Sequence, residues 1–242
     1  MSLVSRHLAR HAAGALASAA VIATAAAAPP VSNPEYAAML EQLGEDLQRL
    51  SNTQSVELKI KAKAEMIGRY DDWVLGALVA GEQGKAAQDE VVATMLVWNI
   101  DVQNWTMALQ IGAHVLTHGL SLPERYKRTP ATLIAEEIAD TSLKLVEAVD
   151  HGTLIATQVL TDEHDMPDQV RAKLMKAIGR KLMAEADAFD PDAEGATAGG
   201  KPALISAAVG AFKRALILDD KAGVKRDIEN LERELKNLTP PT

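Results

Sequence analysis

The stretch from Val91 to Leu116 constrains the fold more than any other part of the chain. Val91, Val92, Met95, Leu96 and Trp98 form a nearly continuous apolar helical segment, and Asp101 to Asn104 makes a turn. Trp105, Ala108, Leu109, Gly112, Ala113 and Leu116 then build a return helix that Gly119 and Pro123 stop. The spacing predicts a helical hairpin, and the rest of the chain follows the same style. Aromatic residues are only 3% of the sequence, whereas Ala, Leu, Ile, Val and Met dominate and 24% of residues are charged. Such residues lose little rotamer freedom in a helix, while a β-sandwich would want more Thr, Tyr, Phe and Trp. The expected class is all-α.

Around the hairpin, Pro34, Tyr36, Met39, Leu40, Leu43 and Leu47 space as an amphipathic helix, with Ser51-Asn52-Thr53 as the turn and cap after it. Val56, Ile60, Ala64 and Ile67 lie on one face of the next helix, continued by Val74 and Leu78 until Gly81 and Gly84. Thr129-Pro130 opens a helix expected to run to His151-Gly152. Asp168 to about Ala188 is a further helix, followed by a Pro- and Gly-rich linker over 190–201 and a helix over 202–219. Ala208, Ala211 and Ala215 give that last helix a small-residue face. Val224, Ile228, Leu231, Leu235 and Leu238 recur at 4, 3, 4, 3 spacing, a seam of about two heptads on a terminal amphipathic helix. The hairpins Val91–His118 and Asp168–Asp219 resemble tetratricopeptide units in packing style.

The chain has no cysteine, which excludes disulfides and thiolate zinc sites. Arg6 and Arg10, the Ala-rich stretch 12–28 and Pro29-Pro30 imitate a secretory signal, but the apolarity is mostly alanine and a proline directly follows the last alanine, which suits an Ala-rich arm better. No other stretch approaches the ~20 apolar residues of a membrane-spanning helix.

Little points to chemistry. His114 and His118 stand four apart, but Val115 occupies the position where a metalloprotease helix carries Glu. Asp162-Glu163-His164-Asp165 reads as loop and helix-start chemistry, and Asp71-Asp72 and Asp219-Asp220 as helix-end acids. No phosphate-binding glycine loop, nucleophile elbow or dinucleotide fingerprint is present. No catalytic residue, metal ligand or cofactor is nominated, and the expectation is a non-enzyme.

Basic residues are more informative. The net charge is −8, which argues against broad coating of nucleic acid. Yet Arg49, Lys59, Lys61, Lys63 and Arg69 lie within one stretch that holds only two acids, Glu57 and Glu65. Arg125, Lys127 and Arg128 surround Tyr126, and Arg171, Lys173, Lys176, Arg180 and Lys181 form a third cluster. The default for any one cluster is a solvated helix face. Lys59 and Lys63, four apart, can also reach one phosphate track.

Three strings carry a family resemblance: AQDEVVATMLVWNIDVQNWTMALQIGAHVLTHGLSLPERYKRTPATLIAEEIA (87–139), MPDQVRAKL (166–174) and AVGAFKRALILDDKAGVKRDIENLERELK (208–236). In these the chain resembles the small terminase subunit of peduovirus-type tailed phages, which package DNA with cohesive ends. The segment 36–84 fits more loosely, and DPDAEGATAGG has no counterpart. The resemblance implies a protein of the host cytoplasm whose N-terminus is an arm. It also implies a homo-oligomeric ring that binds phage double-stranded DNA near the cohesive-end site and presents it to the terminase large subunit. ATPase and nuclease would then belong to that large subunit, with no cofactor and no membrane for this one.

The expected organisation is an Ala-rich arm over 1–33 and a candidate DNA-binding helical region over 34–84. A central hairpin plus helix for scaffold and oligomerisation follows over 85–152, then a C-terminal hairpin with terminal helix over 153–242. Candidate DNA contacts are Arg49, Lys59, Lys61, Lys63, Arg69, Arg125, Lys127 and Arg128. The seam Val224, Ile228, Leu231, Leu235 and Leu238 is the candidate for packing or for docking the large subunit. The rival from another class is a helical-repeat adaptor that binds protein and no nucleic acid.

Overall fold

The computed structural model describes residues 33–191 and 199–238, so most of the Ala-rich arm over 1–33 and the middle of the 190–201 linker lie outside the described residues. It contains ten α-helices and no β-strand among those residues, so the protein is all-α. The chain divides into two compact units, one up to Pro130 and one from Ala131.

In the first unit the helices are α1 (Pro34–Ser51), α2 (Val56–Met66), α3 (Asp71–Glu82), α4 (Glu90–Asp101) and α5 (Trp105–Thr117). The apolar segment singled out in the sequence is α4, and every residue from Val91 to Ile100 is buried. A helix apolar on all sides has to be surrounded, and α1, α2, α3 and α5 all pack on it. Asp89 caps it, its Oδ1 accepting from the amides of Val91 (2.8 Å) and Val92 (3.0 Å). Tyr70, just before α3, meets Trp98 edge to face at 6.0 Å. Helices α3 and α5 approach closely at Gly81, where an added Cβ would sit 2.5 Å from the His114 ring.

One expected face is turned over. Val56, Ile60 and Ala64 read as the inner stripe of α2, but Ala62 and Met66 face inward instead. Val56, Leu58 and Ile60 are 72%, 57% and 38% exposed. The helix is short, and its rotation is set by its C-terminal end, where Met66 and the following Tyr70 are fully buried. Its cap is Ser55, which accepts from the Leu58 amide (3.3 Å), while the hydroxyls of Ser51 and Thr53 close the end of α1.

The second unit holds α6 (Pro130–Lys144), α7 (His151–Thr161), α8 (Asp168–Asp187), α9 (Gly200–Leu218) and α10 (Lys225–Leu238). The helix expected to continue to His151 instead stops at Lys144. A short 3-10 turn, Val146–Ala148, intervenes, and α7 starts anew. Asp150 makes that restart by accepting from the Thr153 amide (2.9 Å) and hydroxyl (2.7 Å). The long pair α8 and α9 forms the core of the unit. Phe212 is fully buried against Gly179, where a Cβ would lie 2.5 Å from its ring. Ala208 and Ala215 are buried on the same helix, as expected for its small-residue face. Tetratricopeptide-like packing is not confirmed.

Candidate nucleic-acid interface

All eight candidate DNA-contacting cations lie in the first unit, on α1, α2 and the segments that follow α2 and α5. Most are engaged within the protein. Arg49, in the last turn of α1, pairs with Glu65 on α2 at 3.1 Å, both side chains half exposed. Lys63 pairs with Asp101 at the end of α4. Arg69 donates to Asp46 (2.9 Å), a buried carboxylate that also accepts from the Tyr70 hydroxyl (2.8 Å). Burial, then the bond to Asp46, pushes the Tyr70 phenol well above its ordinary pKa. Arg125 donates to Glu90 (2.7 Å) and to the Thr94 hydroxyl, and lies 5.1 Å from the Tyr126 ring centre. Arg128 is exposed but also has an interaction partner.

Lys59, Lys61 and Lys127 remain. None makes an ion pair among the described residues; Lys61 and Lys127 are exposed and Lys59 is half-buried. The two clusters are tied to opposite ends of α4: Arg125 to Glu90 and Thr94, Lys63 to Asp101. At a rise of about 1.5 Å per residue those anchors are roughly 10–16 Å apart along the helix. The clusters therefore share a unit without merging into one patch.

The third cluster has a different fate. Arg171 donates to the Asp162 (3.0 Å) and His164 carbonyls. Lys173 bridges Glu136 (3.0 Å) and Asp140 (3.0 Å), Lys176 donates to the Ala222 carbonyl (2.8 Å) and Arg180 to Asp227 (2.9 Å). Lys181, only 7% exposed, reaches Glu147 (3.1 Å). Burial opposes the charge of Lys173, but the bonds to Glu136 and Asp140 outweigh it and raise its pKa. All five of these cations are tied to their own unit.

Of the terminal seam, Val224, Ile228 and Leu231 are buried on α10 and the turn before it, Leu235 is half-buried and Leu238 is exposed. The two histidines at four-residue spacing contact each other, ring centres 4.8 Å apart. His114 is buried, and burial, then the charge of His118, holds its pKa down at about 4. Among the described residues no group of three or more His, Asp or Glu could hold a metal ion.

No local sequence pattern marks a further feature of the first unit. Tyr36 on α1 stacks on Trp73 of α3 (5.7 Å, 17°), and the Trp73 indole N–H donates to Asp89 (2.8 Å). The Tyr36 hydroxyl accepts from the Glu90 amide (3.0 Å). Trp73 lines an open cleft of about 330 Å³. Its only sequence signal was a tryptophan following two acids, since Tyr36 and Asp89 are distant along the chain.

A family described as the phage small terminase subunit matches residues 40–169, more than half of the chain. The chain belongs to this family. A relative from Escherichia phage P2, named "Terminase, endonuclease subunit", is 37% identical over 227 residues, covering 93% of this chain and 84% of that protein. No solved structure matches this chain. No helix among the described residues is long and apolar enough to cross a membrane.

Proposed function

We propose that this small terminase subunit binds phage double-stranded DNA near the cohesive-end site through Lys59 and Lys61 on α2, with Lys127 as a second contact. Its support is that these three lysines have no ion-pair partner among the described residues, whereas Arg49, Lys63, Arg69 and Arg125 are engaged within the unit. An unpaired ammonium exchanges counterions for phosphate without first breaking an internal bond. Lys63 and Arg69 then serve mainly to hold α2 on the unit, and Arg49, Arg125 and Arg128 reach phosphate only by giving up or sharing an internal partner.

In this reading the protein works in the host cytoplasm as a homo-oligomeric ring. Repetition around the ring raises the effective concentration of a contact that is weak in one protomer of net charge −8. The ring delivers DNA to the terminase large subunit, and the exposed end of the seam at Leu238 is available to that partner. This chain regulates the large subunit and carries no catalysis of its own.

The decisive experiment is titration of cohesive-end DNA against Lys59→Glu/Lys61→Glu at several salt concentrations. Losing two phosphate contacts should reduce the log–log salt slope by about 2. An unchanged slope would refute the assignment, and no DNA binding by the parent chain would favour a protein-binding adaptor. The name of the P2 relative supports a second reading, in which the small subunit itself cuts DNA. Cleavage of cohesive-end DNA by the purified chain with a divalent metal and no large subunit would establish it.

A further inference from the structure

The cleft beside Trp73 belongs to none of the surfaces above. It is lined by Glu35 from α1, by Asp72, Trp73 and the small residues Gly76, Ala77 and Ala80 of α3, and by Lys85, Ala87, Asp89 and His114. Three carboxylates against one lysine make the lining net negative. Glu35 and Asp72 are exposed and have no ion-pair partner among the described residues, whereas Asp89 is buried and already holds Trp73 and the start of α4. An indole wall and unpaired acids suit a flat cation, and a guanidinium more than an ammonium.

A second observation points the same way. His114 is more than nine-tenths buried and lines the cleft, yet its ring has no hydrogen-bond partner among the described residues. A neutral imidazole there presents an unused acceptor. A donor brought into the cleft would give that acceptor a partner.

The sequence contains a suitable occupant. Residues 1–32 carry Arg6 and Arg10 and no Asp or Glu. This segment joins the described chain at Asn33, two positions before Glu35 on the cleft wall. From Arg10 to Asn33 the chain can span up to about 75 Å, so reach is no obstacle, and covalent attachment gives a high effective concentration. We propose that the cleft between α1 and α3 binds an arginine side chain, and that its occupant is Arg6 or Arg10 of the same chain.

The full-length chain labelled with 5-fluorotryptophan tests this by fluorine NMR, because Trp73, Trp98 and Trp105 give three signals. Trp73 is assigned by Trp73→Phe. Arg6→Ala/Arg10→Ala should move the Trp73 signal and leave that of buried Trp98 in place. Adding a synthetic peptide of residues 1–14 to that variant should return the Trp73 signal toward its original position, saturably. The same peptide should have at least tenfold weaker effect when Glu35→Gln/Asp72→Asn is also present. A Trp73 signal identical with and without the two arginines overturns the proposal, as does a peptide response independent of Glu35 and Asp72. A wild-type Trp73 signal that changes with protein concentration would place the occupant on another copy and overturn the same-chain assignment. These readouts involve no DNA, so they stand or fall separately from the proposed DNA contacts.

Discussion

The basic clusters of α2 and α8 look alike in sequence and differ in use. Each places five cations within about twenty residues, among few acids. On α8 all five reach partners in their own unit, among them Glu136, Asp140, Glu147 and Asp227. Around α2 three are engaged, by Glu65, Asp101 and Asp46, and Lys59 and Lys61 have no ion-pair partner among the described residues. A count of charges along a helix thus says little about which of them can meet a ligand. What decides is whether packing brings a distant acid within reach.

The largest effect that tests this contrast falls on α8. Replacing Lys173, Arg180 and Lys181 together by Ala should lower the urea-unfolding free energy by about 3–4 kcal/mol, roughly 1 each, while leaving cohesive-end DNA affinity under native conditions unchanged. A loss of DNA binding with no loss of stability would reverse the comparison.

Burial of His114 suppresses its charge. Because the folded pKa lies near 4 and the unfolded value near 6.5, the unfolded chain binds the proton first as pH falls. The contribution of His114 to stability is full above about pH 6.5 and diminishes by about 3 kcal/mol on going to pH 4. Denaturation followed across that window should show the slope, and His114→Gln should flatten it.

Lys59→Glu/Lys61→Glu should weaken cohesive-end DNA binding at least tenfold, about 1.4 kcal/mol, with the unfolding midpoint nearly unchanged. Stability loss without loss of binding would move these lysines into the same class as those of α8. Smallest is the exposed Arg49–Glu65 pair. Glu65→Gln should change stability by less than about 0.5 kcal/mol and, by releasing Arg49, tighten DNA binding about twofold. A weaker complex would show that Arg49 needs its partner to be positioned.

Much of the fold was legible in local signals. The nearly continuous apolar segment of Val91, Val92, Met95, Leu96 and Trp98 marked a helix, Thr129-Pro130 marked a helix start, and Ala208 and Ala215 marked a small-residue face. The restart at Asp150 was missed although Asp150 and Thr153 stood at capping distance, because the apolar spacing continued through the break. The rotation of α2 was not legible, since two apolar stripes were available and burial of Met66 and Tyr70 selected the other one.

What the sequence determined alone is what depends on neighbours a few residues apart: helix content, caps, turns and the all-α class. The family followed from long strings of those same residues. The tertiary structure decided which charges are used up, because Lys63 meets Asp101, Arg69 meets Asp46 and Lys181 meets Glu147 across dozens of residues. It also built the Tyr36–Trp73–Asp89 cleft from three segments that share no local pattern. Hydrogen bonds and ion pairs act over about 3–4 Å, and only packing sets such separations between parts of the chain so far apart.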